Sequence, residues 1–326
     1  MYNGTNMPTL KGKRVLVTGG AGFIGSHLVD RIIKEQIRSL CVVDNYFLGT
    51  NDNLNFASQN FPSLKIFKQD ITNVEKIQTI LRKENIDVVF NLAAIPLLTS
   101  LEKPVFTVNS IINSSMTFCE LLRKKLFETL IHFSSSEVYG TAQYVPMDEK
   151  HPMEPCTPYA AAKAAADHLV LSYVKTFNID ASIVRPFNNY GPRQNKGDYA
   201  AIIPIVVQNI LLKKPIIIYG DGRQTRDFIF VRDVADATIA IYNEPRARRK
   251  QINIAAGKET SVLDLVHTIV DIMHADTKIV YKPARQGDVR RHFADISLAK
   301  KLINFQPSTD IEQGLRETVE WYKNSL

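Results

Sequence analysis

The chain has 326 residues, 45% of them apolar, and a formal net charge of +7. That length suits one large domain with a smaller partner and is ample for a sizeable core. No apolar run of about 18 residues exists, so a membrane-spanning helix is excluded.

The surplus positive charge raises three classes of partner: nucleic acid, a membrane surface or a phosphorylated small molecule. Basic residues are dispersed, apart from Arg246-Ala247-Arg248-Arg249-Lys250, which has no interleaved aromatics. Nucleic-acid and membrane binding are therefore not expected. Cys41, Cys119 and Cys156 are scattered and lack CxxC spacing. That argues against a disulfide framework or a metal site and for a reducing, cytoplasmic setting. Residues 1–8 show no basic segment followed by an apolar one, so no signal peptide is expected.

The first element is a short β-branched strand, Arg14-Val15-Leu16-Val17. It runs into Thr18-Gly19-Gly20-Ala21-Gly22-Phe23-Ile24-Gly25 and then an amphipathic helix over 26–33. In a strand–turn–helix, Gly19 permits the tight turn, Gly22 lets backbone approach a pyrophosphate, and Gly25 lets helix and strand pack closely. The helix N-terminus adds N–H donors and a positive dipole end. The next strand, Leu40-Cys41-Val42-Val43, ends at Asp44 and Asn45. A carboxylate about 20 residues past the glycines suits ribose hydroxyls and repels a 2′-phosphate, which favours NAD over NADP.

Alternation continues with a strand over 64–67 ahead of Gln69-Asp70-Ile71, a helix over 74–83, and a strand over 88–92 ahead of Ala93-Ala94. A long helix over 104–123 precedes a strand over 130–133, which ends in Ser134-Ser135-Ser136-Glu137-Val138-Tyr139-Gly140. Strands spaced by helices predict an α/β fold with a doubly wound parallel sheet.

An alanine-rich helix then carries Tyr159 and Lys163. Their i, i+4 spacing puts both side chains on one face. A phenol beside an ammonium is expected to have a lowered pKa and to act as a general base for a hydroxyl proton. A strand over 181–184 leads into the turn-rich Arg185-Pro186-Phe187-Asn188-Asn189-Tyr190-Gly191. The remainder reads as a helix near 199–212, strands over 215–219 and 224–231, helices to 243, over 261–273 and over 310–323, and a short strand over 278–281.

Taken together, the glycine turn, Asn91-Leu92-Ala93-Ala94, the serine cluster, Tyr159 with Lys163, Arg185-Pro186-Phe187-Asn188 and Gln224-Thr225-Arg226-Asp227-Phe228 resemble one family. It is the nucleotide-sugar epimerase/dehydratase group of the extended short-chain dehydrogenases/reductases, and the resemblance runs from about Lys13 to Tyr322. It implies a Rossmann domain holding NAD (1–185 with 228–250) and a smaller C-terminal α/β lobe (186–227 with 251–326) closing over a nucleotide diphosphate sugar.

Its cofactor contacts would be Gly19, Gly22, Phe23, Ile24, Gly25, Asp44, Asn45, Asp70, Ile71, Leu92, Ala93, Ala94, Tyr159, Lys163 and Pro186. Tyr159 would take the sugar O4 proton, Lys163 would hold the nicotinamide ribose, and Ser135 would hydrogen-bond O4. Asn188, Arg226 and Arg285 would grip the diphosphate and nucleotide, a role that suits arginine. A homodimer through the helices near 104–123 and 157–175 is also implied.

Oxidation at C4 acidifies the C5 proton, and three reactions can follow. A 4,6-dehydratase needs a C5 base, for which Glu137 is the candidate. Relatives that dehydrate dTDP-glucose place an aspartate where this chain has Ser136. A 4-epimerase needs only room for the keto sugar to rotate. A uronate decarboxylase needs a cation for the carboxylate. Dehydration is the expected reaction. A non-catalytic dinucleotide sensor of the same fold would be expected to lack Tyr159 or Lys163, and both are present.

Overall fold

The computed structural model describes residues 9–284 and 289–325. Seven strands form its main sheet: β1 (Arg14–Thr18), β2 (Ser39–Asp44), β3 (Lys65–Lys68), β4 (Val88–Asn91), β5 (Thr129–Phe133), β6 (Ala181–Pro186) and β7 (Gln251–Ile254). Their order is β7-β6-β5-β4-β1-β2-β3, with every neighbouring pair parallel. The chain order reverses between β1 and β4, and the crevice at such a point is where open α/β sheets bind ligands.

Both faces are covered, which is why the central strands are buried along nearly their whole length. Leu28 and Val29 of helix Phe23–Ile32 and Val234 and Ile239 of helix Val231–Asn243 pack on one face. Ile77, Phe118 and Val170 bring helices Val74–Lys83, Pro104–Arg123 and Pro158–Phe177 onto the other. The edge strand β3 is mostly exposed, and its lysines at 65 and 68 discourage further strand pairing.

The Tyr159 helix has clear punctuation. Thr157 accepts from the Ala160 N–H at 3.2 Å, Pro158 occupies the first turn, and Asn178 ends the helix in the left-handed region at φ 54°.

The second lobe is built from small pieces. Ile216–Tyr219 pairs with Ile279–Lys282, Asn188–Tyr190 with Phe228–Phe230, and Thr225–Arg226 lies between Thr260–Ser261 and Arg291–His292. Helices Ile202–Leu211, Val262–Met273 and Ile311–Ser325 pack Val207, Leu265, Ile269 and Leu315 around Tyr190 and Ile218.

One segment differs from the sequence reading. Gln251–Ile254, expected in the second lobe, is the seventh strand of the main sheet. Ile252 and Ile254 are fully buried there, and Ala299 and Leu302 of helix Ser297–Ile303 join the same core. A four-residue strand directly after a basic cluster carries too little periodicity to be recognised. The short helices Asn55–Asn60 and Leu97–Glu102 escaped for the same reason.

Candidate active site

Every residue read as cofactor-binding lines a single cleft above the C-terminal ends of β1, β2, β4, β5 and β6. Two glycines show why this turn fits a dinucleotide. Gly19 has φ +66°, and a Cβ there would lie 2.8 Å from the Ala93 backbone. A Cβ on Gly25 would sit 2.0 Å from the Gly19 carbonyl oxygen, so the helix rests directly on the turn. That helix begins at Phe23, three residues earlier than expected. Gly22 is its N-cap, no side chain caps it, and its first turn holds no acid. Its leading N–H groups are therefore available to an anion.

Asp44 at the end of β2 is buried, which pushes its carboxyl pKa up. Oδ2 accepts from the Ala21 N–H at 3.0 Å and Oδ1 from the Tyr46 N–H at 2.8 Å. These bonds fix the carboxylate beside the glycine turn. Across the cleft, Asn45 donates to Asp70 at 3.0 Å. The sequence reading missed Phe47, Ser110, Ser134 and Asn195, which also line the cleft. Ser134 belongs to the serine cluster itself, while the other three come from loops and a helix that carry no recognisable motif.

Tyr159 and Lys163 share one helix face, as their spacing requires. Tyr159 is hydrogen-bonded to Ser135. Lys163 Nζ, buried, donates to the Phe133 carbonyl at 2.8 Å. The expected lowering of the phenol pKa is absent in the protein alone. Burial pushes the Tyr159 hydroxyl up to about 12, and the Glu137 and Asp167 carboxylates add to that rise. The ammonium that was to oppose it points at a backbone carbonyl, and burial brings Lys163 down to about 8.

Ser136 and Glu137 lie on the turn Ser136–Tyr139, outside the dinucleotide cleft. Ser135 Oγ caps this turn by accepting the Glu137 N–H at 3.2 Å. Glu137 is half-buried and close enough to Tyr159 to act on it electrostatically. Ser136 is buried, and its carbonyl accepts from His292 Nε2 of the second lobe at 3.1 Å.

Asn188 holds a buried Nδ2 with no partner among the described residues. An unsatisfied buried donor fits a residue that awaits a ligand oxygen. Arg226 is half-buried, and its Nη1 donates to the Thr225 and Val289 carbonyls at 2.9 and 2.6 Å. Neighbouring Asp227 accepts the Ala256, Gly257 and Ala294 N–H groups. Arg285 lies outside the described residues. Among those residues, no group of three or more His, Cys, Asp or Glu is placed to hold a metal ion, and no helix is long and apolar enough to cross a membrane.

The family model described as GDP-mannose 4,6 dehydratase matches residues 16–318. The chain belongs to that family. Within it, the chain is similar to proteins with different reactions. A UDP-N-acetylglucosamine 4-epimerase from Methanobrevibacter ruminantium, solved with UDP-N-acetylmuramic acid, is 36% identical with a TM-score of 0.90, covering 97% of this chain and 100% of that one. A UDP-N-acetyl-α-D-glucosaminuronate decarboxylase from Bacillus cytotoxicus is 31% identical over 95% of this chain and 98% of its own length. A UDP-glucuronic acid 4-epimerase variant from Bacillus cereus, solved with NAD and a fluorinated substrate analogue, is 30% identical with a TM-score of 0.89, covering 96% of this chain and 100% of that one.

The chain is thus an NAD-dependent enzyme of the nucleotide-sugar epimerase/dehydratase family. The residues present fit that cofactor. Gly19 and Gly25 shape the turn, the uncapped helix start faces the cleft, and the Asp44 carboxylate lines the cleft beside that turn.

Proposed function

We propose that this enzyme oxidises a nucleotide diphosphate sugar at C4 and then eliminates water across C5 and C6, as a 4,6-dehydratase. When bound, NAD supplies the hydride acceptor and a positively charged ring. Tyr159 takes the O4 proton as general base, and Ser135, already bonded to it, orients the hydroxyl. Lys163 holds a ribose hydroxyl while its anchor at Phe133 fixes its reach.

The observation that carries the choice of dehydration is Glu137. It is a half-buried carboxylate held on the turn capped by Ser135, within electrostatic range of Tyr159. On this reading Glu137 serves as the base for the C5 proton. Asn188 and Arg226, with Arg285, serve the diphosphate and nucleotide. The second reading is 4-epimerisation, favoured by the two similar proteins named as 4-epimerases.

Glu137→Gln separates the readings. Under the proposal it retains C4 oxidation, seen as transient NADH, and loses dehydration by about 100-fold or more. Normal dehydration by this variant would make the glutamate structural. A homodimer through the outer face of helix Pro104–Arg123, where Val105, Phe106 and Met116 are exposed, completes the proposal. Light scattering would show a monomer if that part is wrong.

A further inference from the structure

Behind the oxidation pair lies a buried ion pair that the proton transfer does not itself use. One turn beyond Lys163, on the same helix, stands Asp167, fully buried. Its Oδ2 accepts from Arg185 Nη2 at 2.6 Å and from Ser134 Oγ at 2.7 Å. Its Oδ1 has no partner among the described residues. Arg185, also fully buried, reaches the Tyr139 hydroxyl with Nη1 at 2.5 Å and lies 4.7 Å over that ring. The Tyr139 hydroxyl donates in turn to Asn253 Oδ1 on β7 at 2.8 Å.

Ser134 sits between the two backbone positions that matter most. Phe133 before it receives Lys163, and Ser135 after it bonds Tyr159. One carboxylate therefore joins the helix carrying Tyr159 and Lys163 to the strand end carrying Ser135, Ser136 and Glu137. Arg185 extends the tie to β6 and to the turn of Glu137. A purely mechanical brace could be apolar at no loss of stability, because burying two charges costs as much as their attraction returns. A charged brace does two further things. It imposes hydrogen-bond geometry, and with one oxygen unpaired it leaves a negative field beside Lys163.

We propose that Asp167, held by Arg185 and Ser134, is a positioning residue for the oxidation. It fixes the Lys163 helix against the serine strand end and keeps Lys163 cationic beside Tyr159. This rests on the reading of Tyr159 and Lys163 as the C4 oxidation pair. The other charged and titratable groups facing that pair are Glu137 from the Ser136–Tyr139 turn, Tyr139 from the same turn, Arg185 from β6 and His132 from β5, which burial keeps neutral. Asp167 raises the proton affinity of both Lys163 and Tyr159, so removing its charge lowers both.

The test is the titration of Tyr159 in the NAD-loaded enzyme, by ultraviolet difference absorbance against Tyr159→Phe in the same background. Three variants are compared: Asp167→Asn, the double Asp167→Asn/Arg185→Met, which leaves no unpaired buried charge, and Asp167→Glu. In Asp167→Asn Tyr159 is expected to ionise at a pH lower by about half a unit to one unit, whereas the double variant, which also removes the Arg185 cation, is expected to shift it less. NADH formation on adding nucleotide sugars is expected to fall about tenfold or more. Asp167→Glu returns the titration to its wild-type position.

An unmoved titration in folded Asp167→Asn overturns the proposal, as does wild-type NADH formation in the folded double variant. Failure of both charge-removing variants to fold also counts against it, since the pair would then be a stability element. If wild type forms no NADH with any nucleotide sugar, the C4 oxidation reading fails, while the titration still judges Asp167.

Discussion

The i, i+4 spacing of Tyr159 and Lys163 was enough to find them, because helix geometry alone puts them on one face. Their electrostatics could not be read that way. Only the folded chain shows that Lys163 is committed to the Phe133 carbonyl and that the charges acting on Tyr159 are mainly carboxylates. If Tyr159 is the base proposed above, it works against that rise. Tyr159→Phe is expected to lower kcat by about 100-fold or more while leaving NAD bound, since the phenyl ring still fills the cleft wall. Full turnover by that variant would remove Tyr159 from the chemistry. Asp44 makes a second prediction at this scale. Cofactor released on denaturing the purified enzyme is expected to be NAD, because a buried carboxylate tied to the glycine turn repels a 2′-phosphate. Release of mainly NADP would contradict it.

Among the elements, the strand–glycine turn–helix was legible apart from where its helix starts, because Gly19 and Gly25 answer steric demands that no other residue meets. Gly25→Ala puts a methyl group 2.0 Å from the Gly19 carbonyl oxygen. It is expected to cost about 1–3 kcal/mol in stability and to abolish NAD retention, read by thermal melting and by cofactor content. A variant that retains NAD with an unchanged melting temperature would show that the turn can yield. The central strands were legible from their continuous apolar runs, whereas β7 was not. Its four residues are recognisable as a strand only beside β6, which supplies their hydrogen bonds. The buried pair of Asp167 and Arg185 had no sequence signal at all, since the partners lie 18 residues apart on different elements.

At the scale of the molecule, His27, His132 and His292 are three of the four buried histidines among the described residues. His27 bridges the first helix to the Pro192 carbonyl, His132 lies within the sheet, and His292 ties the second lobe to Ser136. Burial brings them down to about 3, 3 and 4 respectively. The unfolded chain protonates them near pH 6.5, so it binds more protons than the folded one below that pH, and stability falls as pH falls from about 6.5 toward 4. Each contributes a loss of about 2 kcal/mol by pH 5. Asp227, pushed up to about 7 by burial, works in the opposite direction over the same window, joined by Asp30, Asp44 and Glu149, whose carboxyls burial also pushes up. The melting temperature is expected to drop clearly between pH 7.5 and pH 5; an unchanged or higher value at pH 5 would mean these histidines are not held neutral.

Tyr159 and Lys163 in the cleft lie beside the Glu137 turn, and under the proposed function that neighbourhood carries C4 oxidation on to dehydration. Incubating the NAD-loaded enzyme with a panel of UDP-, GDP- and dTDP-sugars and uronates, and reading products by mass, tests it most directly. Wild type is expected to form a product lighter by one water, and Glu137→Gln is not. A product of unchanged mass, or one lighter by carbon dioxide, would contradict it.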